Sequence, residues 1–316
     1  MKMPSRDERR PAMSKETEKL FKEFHKYIDE HSDENRTEAD VERLMNEFIA
    51  QYNSSTPVYI TPETAESADD YLELAYNATS MKDALKYAKE ALKLDPHNFD
   101  AEALVLELKA KDGTRLVRDY AKAIQRATAF MEETGYFEDE YTGDFWGVLA
   151  TRPYMRLRCK YVNLLTECGM IGQARDECIE LLRLCEGDNM GIRFLLMHIY
   201  AYFEDEEAAL TLHKQFDSYD ETEMLLPLSI LYYKKGDFTK ATQYLRKLNG
   251  ANRDLKRFLK IVLAEGNEEF EGFELDGGYR PGTVEEFMVE FRDNGFLFMG
   301  MDTYFEWALQ QTKKFK

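Results

Sequence analysis

Along most of the chain apolar residues recur at i, i+3 or i+4 and i+7, the period of a helix packed on one side, and strand-like alternation is scarce. The spacing predicts amphipathic helices over 15–28 and 38–52, with Leu44, Phe48 and Ile49 marking the apolar side of the second. Residues 53–62, punctuated by Pro57 and Pro62, read as an extended linker. Residues 113–133 form one uninterrupted helical pattern, and 134–144 read as an acidic, aromatic insertion before Phe145 and Trp146. Toward the C-terminus the pattern predicts a helix over 252–264, an acidic loop over 266–278 and a helix N-capped by Thr283. Glu286 stands three residues on as its capping-box partner. A last helix around 304–309 carries Trp307 on its apolar side. The longest apolar runs, 194–203 and 225–233, are half of the about 20 residues a membrane-spanning helix needs, and His198 interrupts the first.

The helical pattern also repeats itself. Three hairpins align on a small residue of their second helix: 161–169 followed by 173–181, 192–200 followed by 207–212, and 225–233 followed by 236–245. Ala174 and Ala208 are 34 residues apart, and Ala208 and Ala241 are 33 apart, which is the period of the tetratricopeptide repeat. Gly169 and Gly236 stand where a first helix must end in a left-handed turn. The alanines are small because the two helices approach most closely there, and Tyr161, Leu195 and Leu228 fill the neighbouring gaps. An earlier copy runs from Ala75 through Ala84, Ala88 and Ala91 to Asp95-Pro96, where the proline stops the helix. From Ala84 to Ala174 is 90 residues, two periods plus 22, and the insertion absorbs the surplus. The expected fold is all-α: a right-handed superhelix of four to five tetratricopeptide-like hairpins with helical caps at both ends. The expected boundaries are a flexible tail over 1–13, an N-terminal helical cap over 14–56, an array over 57–250 with its insertion at about 134–148, and a C-terminal cap over 251–316.

Charge narrows the function. With 60 acidic residues against 42 Lys plus Arg, the formal charge is −18, which argues against tracking nucleic-acid phosphates or docking on an anionic membrane. The N-terminal 13 residues carry no apolar stretch of the secretory kind, and Met13 offers a second start. The four cysteines, Cys159, Cys168, Cys178 and Cys185, crowd into one helical stretch without CxxC spacing, so small buried thiols in a reducing cytoplasm are expected. Neither phosphate-binding glycine loop, nor HExxH, nor GxSxG occurs, and His25, His31, His97, His198 and His213 do not group with cysteines. His25 and His31 are six apart, the wrong offset to share a helix face. The acidic runs 138–140 and 204–207 read as solvated segments. The expectation is no enzyme, no metal and no cofactor.

Trp146-Gly147, Thr151-Arg-Pro-Tyr-Met-Arg156 and, one repeat later, Asp188-Asn-Met-Gly-Ile-Arg193 resemble the motifs of a group of bacterial tetratricopeptide proteins. Tyr279-Arg-Pro-Gly-Thr-Val-Glu-Glu286 is similar to a tail motif of that group, and the resemblance spans most of the chain from about Ala65 onward. Glu186 stands where that group usually has a proline, which predicts a looser turn. The resemblance implies a partner-binding helical scaffold.

First helices of stacked hairpins line the concave side of such arrays, where partners usually lie. The alanine register places Arg156, Lys160 and Asn163 there from one repeat, Arg193, Met197 and Tyr200 from the next, and Tyr233 and Lys234 from the third. Cations and an amide on one surface of an acidic protein resemble the clamp by which some tetratricopeptide domains hold a peptide's terminal carboxylate, although the offsets within the repeat differ. The competing reading is internal: Arg152, Arg156 and Arg193 fall in first helical turns, where the dipole disfavours cations and Asp144, Asp188 or a neighbouring glutamate can compensate. The expected partner is a protein or peptide, with no nucleic acid and no membrane, and the oligomeric state is open. The alternative is a peptide-responsive regulator with its output through the N-terminal helices.

Overall fold

The computed structural model describes residues 15–31, 37–54, 60–138, 141–264 and 279–315. The expected tail, the Met13 start, most of the acidic loop and parts of the linker and of the 138–140 run lie outside the described residues. Among the described residues there is no strand, only bridge pairing of Gly143 and Asp144 with Cys185, and there are 16 α-helices. The chain forms two compact units. The N-terminal unit takes in the described residues up to Leu164 together with Arg183–Met190, and the C-terminal unit takes in Leu165–Leu182 and those from Gly191 onward.

The N-terminal unit begins with a hairpin of α1 (Lys15–His31) and α2 (Glu38–Ser54), closed over Ile28 and Leu44 and by Phe24 and Tyr27 against Phe48 at 5.4 and 5.5 Å between rings. Next come α3 (Ala68–Tyr76), α4 (Met81–Leu94), α5 (Phe99–Lys109) and α6 (Gly113–Glu133), each packing on its predecessor from α4 onward. Ser67, Ser80, Asn98 and Asp112 N-cap them, each side chain accepting from the amide three residues on, so every start is locally written. Pro96 follows α4 as expected, and α6 has the predicted bounds. The insertion leads through a 3-10 turn (Leu149–Thr151) into α7 (Arg152–Glu167), and Phe145 is fully buried.

The C-terminal unit holds most of α8 (Ile171–Leu184), then α9 (Ile192–Phe203), α10 (Glu206–Gln215), α11 (Thr222–Lys234) and α12 (Phe238–Ala251). Its three hairpin turns are the same turn. The amides of Met170, Asp205 and Asp237 reach back five residues to Leu165, Tyr200 and Tyr232 at 2.8, 2.9 and 2.9 Å. Those of Gly169, Glu204 and Gly236 reach back three, to Thr166, Ala201 and Tyr233. The pattern is a Schellman closure, with φ of 71°, 60° and 76° at the left-handed residue. Gly169 and Gly236 were expected in that role; Glu204 was not, because glutamate ordinarily avoids positive φ.

Counting from the residue before each second helix (Ser80, Met170, Asp205, Asp237), positions four, eight and eleven are buried alike along α4, α8, α10 and α12, the eleventh of α10 being its C-cap residue. They are Ala84/Ala88/Ala91, Ala174/Cys178/Leu181, Ala209/His213/Phe216 and Ala241/Leu245/Leu248. The expected Ala208 is therefore one residue off: Ala209 is fully buried and Ala208 only half-buried, because Asp205 starts α10 one residue later than the alanine spacing implied.

The last helices are α13 (Leu255–Val262), α14 (Val284–Asp293), α15 (Gly295–Phe298) and α16 (Asp302–Thr312). Phe258 stacks on Phe287 at 4.6 Å and Phe291 on Phe298 at 5.1 Å, while the Tyr304 hydroxyl donates to Ser229 Oγ of α11 at 3.0 Å. The capping box at Thr283 is not formed. Its hydroxyl donates to the Arg280 carbonyl, and Asp254 accepts from Val284 N in its place, at 3.1 Å. Glu286 instead gathers Gly282 N (2.8 Å), the Thr222 hydroxyl (2.8 Å) and Asn252 Nδ2 (3.1 Å) on one oxygen. Asn252 is accordingly outside α13, which starts at Leu255 rather than 252.

Candidate functional site

The N-terminal unit carries the first three candidates on α7. Thr151 and Arg152 build its start: the Thr151 hydroxyl donates to the Phe145 and Val148 carbonyls, and Arg152 Nε donates to the Trp146 carbonyl at 2.8 Å with its guanidinium over the Trp146 ring. One turn on, Tyr154 and Met155 are buried, and the Tyr154 hydroxyl meets Thr128 Oγ1 and Arg158 Nε at 2.8 Å each. Most of the Thr-Arg-Pro-Tyr-Met-Arg segment thus seats the insertion and α6 on α7.

Arg156 is different. Its Nε and Nη2 bond Asp100 of α5 at 2.9 and 2.5 Å, and its Nη1 bonds Glu18 of α1 at 2.8 Å, all three side chains being largely buried. Burial works against the guanidinium's charge; the two carboxylates outweigh it and hold the Arg156 pKa above its ordinary value. Lys160, one turn along, bonds both oxygens of Glu107 at 2.8 and 3.0 Å, and Glu107 also accepts from the Tyr120 hydroxyl at 2.6 Å. Burial first, then Asp100 and Glu107, push the Tyr76 phenol up beside them. Asn163 is exposed at the next turn. The structure therefore brings Arg156, Lys160 and Asn163 along one face at i, i+4 and i+7.

The remaining candidates lie in the C-terminal unit. Arg193 is buried between the Phe194 and Phe216 rings, 4.0 and 5.1 Å from their centroids, with Glu221 at 3.5 Å offsetting its place in a first helical turn. Met197 is fully buried and Tyr200 nearly so; α9 is packed by α10 and α11 and also by α15, an element the periodicity did not reveal, whose Phe298 and Phe296 meet His198 and Tyr202. Tyr233 is half-buried among Phe238, Tyr304 and Trp307. Lys234 Nζ donates to the Ala201 and Tyr202 carbonyls at 3.0 and 2.7 Å, closing the C-terminus of α9.

Sequence reasoning missed the acids that hold these cations. Asp100, Glu18 and Glu221 lie 56, 138 and 28 residues from their partners, and no local pattern distinguishes them among 60 acids. It also missed a buried pair: His198 Nδ1 donates to the Phe194 carbonyl at 2.8 Å, and its Nε2 faces Glu290 Oε2 of α14 at 2.8 Å. Among the described residues no group of three or more His, Cys, Asp or Glu could hold a metal ion, and no helix is long and apolar enough to cross a membrane. The four cysteines are free thiols, and burial, chiefly, pushes Cys159 up to about 11.

Comparison with protein-family models, with curated proteins and with solved structures finds no match to this chain.

Proposed function

We propose that the chain is a tetratricopeptide-like scaffold without catalytic activity, which binds a protein or peptide partner through an acidic side chain or a terminal carboxylate. The three identical Schellman turns and the buried four–eight–eleven pattern support the repeat reading. One observation carries the binding reading. The α7 face of Arg156, Lys160 and Asn163 is built to hold carboxylates, since both cations already do so with bond lengths of 2.5–3.0 Å. Arg193, Met197, Tyr200 and Lys234 are engaged within their own unit, so the site proposed is the α7 face alone. A peptide array of acidic and C-terminal sequences, probed with wild type and with Arg156→Gln/Lys160→Gln after both are shown helical by circular dichroism, tests this. Carboxylate-dependent spots lost in the variant support the reading, and an identical spot pattern overturns it.

A further inference from the structure

The carboxylate on Arg156 from α1 has a special position. Asp100 is set in α5 between the buried Phe99 and Ala101, so it cannot leave without unpacking the unit. Glu18 rides on α1, whose described polar contacts with α3 and α7 are ion pairs. They are Glu18 with Arg156, Lys19 Nζ with Glu73 at 2.8 Å and Lys22 Nζ with Asp69 at 2.9 Å. Residues 18, 19 and 22 share one side of α1, and the two lysine pairs are about 40% exposed, where an ion pair contributes little and salt screens it. Two buried carboxylates converge on one guanidinium, an arrangement in which each disfavours the other. Withdrawal of α1 takes the acceptor from Arg156 Nη1 and leaves a partly buried donor edge, close to Arg152, on which Glu18 also acts electrostatically.

Building on the partner-binding reading above, we propose that α1 is an intramolecular occupant of this site: Glu18 holds Arg156 where a partner's carboxylate binds, and an acidic peptide binds by displacing α1. The tether keeps Glu18 at high effective concentration, so it lowers the partner's apparent affinity by the fraction of molecules in which α1 is docked. Displacement of α1 is then the signal that the site is filled.

The test uses the full chain and a fluorescein-labelled tetraglutamate peptide with a free C-terminus, followed by anisotropy at low salt, with hydrogen exchange of the α1 amides alongside. Glu18→Gln is expected to bind the probe about tenfold more tightly and to exchange α1 about tenfold faster. Lys19→Gln/Lys22→Gln, which loosens α1 without touching Arg156, is expected to shift both in the same direction. Glu18→Gln/Arg156→Gln is expected to lose the probe. Unchanged α1 exchange in both loosened variants overturns the proposal. A probe bound equally by wild type and Glu18→Gln but lost in Arg156→Gln retires α1 as occupant and leaves the partner-binding reading standing. Faster α1 exchange with no probe bound by any protein overturns both.

Discussion

Gly236 and Glu204 occupy the same position of the same turn, with φ of 76° and 60°, and substitutions there have opposite expected signs. A Cβ added at Gly236 meets nothing within 4 Å, so Gly236→Ala carries no steric surcharge and loses no hydrogen bond. What remains is the conformational cost of a left-handed L-residue, about 1 kcal/mol. Glu204→Gly relieves a cost of the same size. It also gives up the half-exposed contact of Glu204 with Lys234 at 3.5 Å, worth a few tenths of a kcal/mol, for a net gain of about 0.5 kcal/mol. Urea unfolding followed by circular dichroism measures both, with the slope unchanged if the effect is on the folded turn. A neutral Gly236→Ala together with a destabilising Glu204→Gly would refute the equivalence of the turns, and with it the repeat reading.

Other predictions address the charges. Arg156→Met leaves Asp100 buried without its cation and is expected to cost about 3 kcal/mol in the same assay; a loss under 1 kcal/mol contradicts the pairing. Glu206 accepts from Lys235, Lys240 and the Tyr232 hydroxyl, which hold its carboxyl down to about 2. A depressed carboxylate stabilises the fold above its unfolded pKa and ceases to as pH falls through the folded one. Glu206→Gln should therefore cost about 1 kcal/mol at pH 7, discounted for its partial exposure, with the difference closing between about pH 4.5 and 2. Cys159, pushed up to about 11, should react with a disulfide reagent at pH 8 more than about a hundredfold more slowly than a free thiol. His198→Leu/Glu290→Leu should be less destabilising than Glu290→Leu alone, which strands a buried imidazole; a fully additive double variant contradicts the pair.

What could be read from the sequence was what neighbours along the chain encode. The bounds of α6, the stop at Pro96 and the left-handed turns at Gly169 and Gly236 each follow from residue types within one or two turns. Glu204 was illegible as a turn because its conformation is imposed by the hairpin, not favoured by the residue. The slip from Ala208 to Ala209 has the same origin: in an Ala-Ala pair only the cap at Asp205 decides which alanine faces the partner helix. At the site, cations are scarce enough for Arg156 and Lys160 to stand out, whereas Glu18 and Asp100 are two acids among 60. The docking of α15, whose Phe298 and Phe296 meet His198 and Tyr202 of α9, is likewise unsignalled, because four residues carry no periodicity.

The most direct test of the central claim is to follow the Arg156 Nε–Hε resonance of the arginine-labelled full chain, assigned by its loss in Arg156→Lys, during titration with an acidic peptide bearing a free C-terminus. A saturable shift of that resonance is expected, weakened by salt as screening of a charge pair requires. A partner bound with the Arg156 resonance unmoved would contradict it.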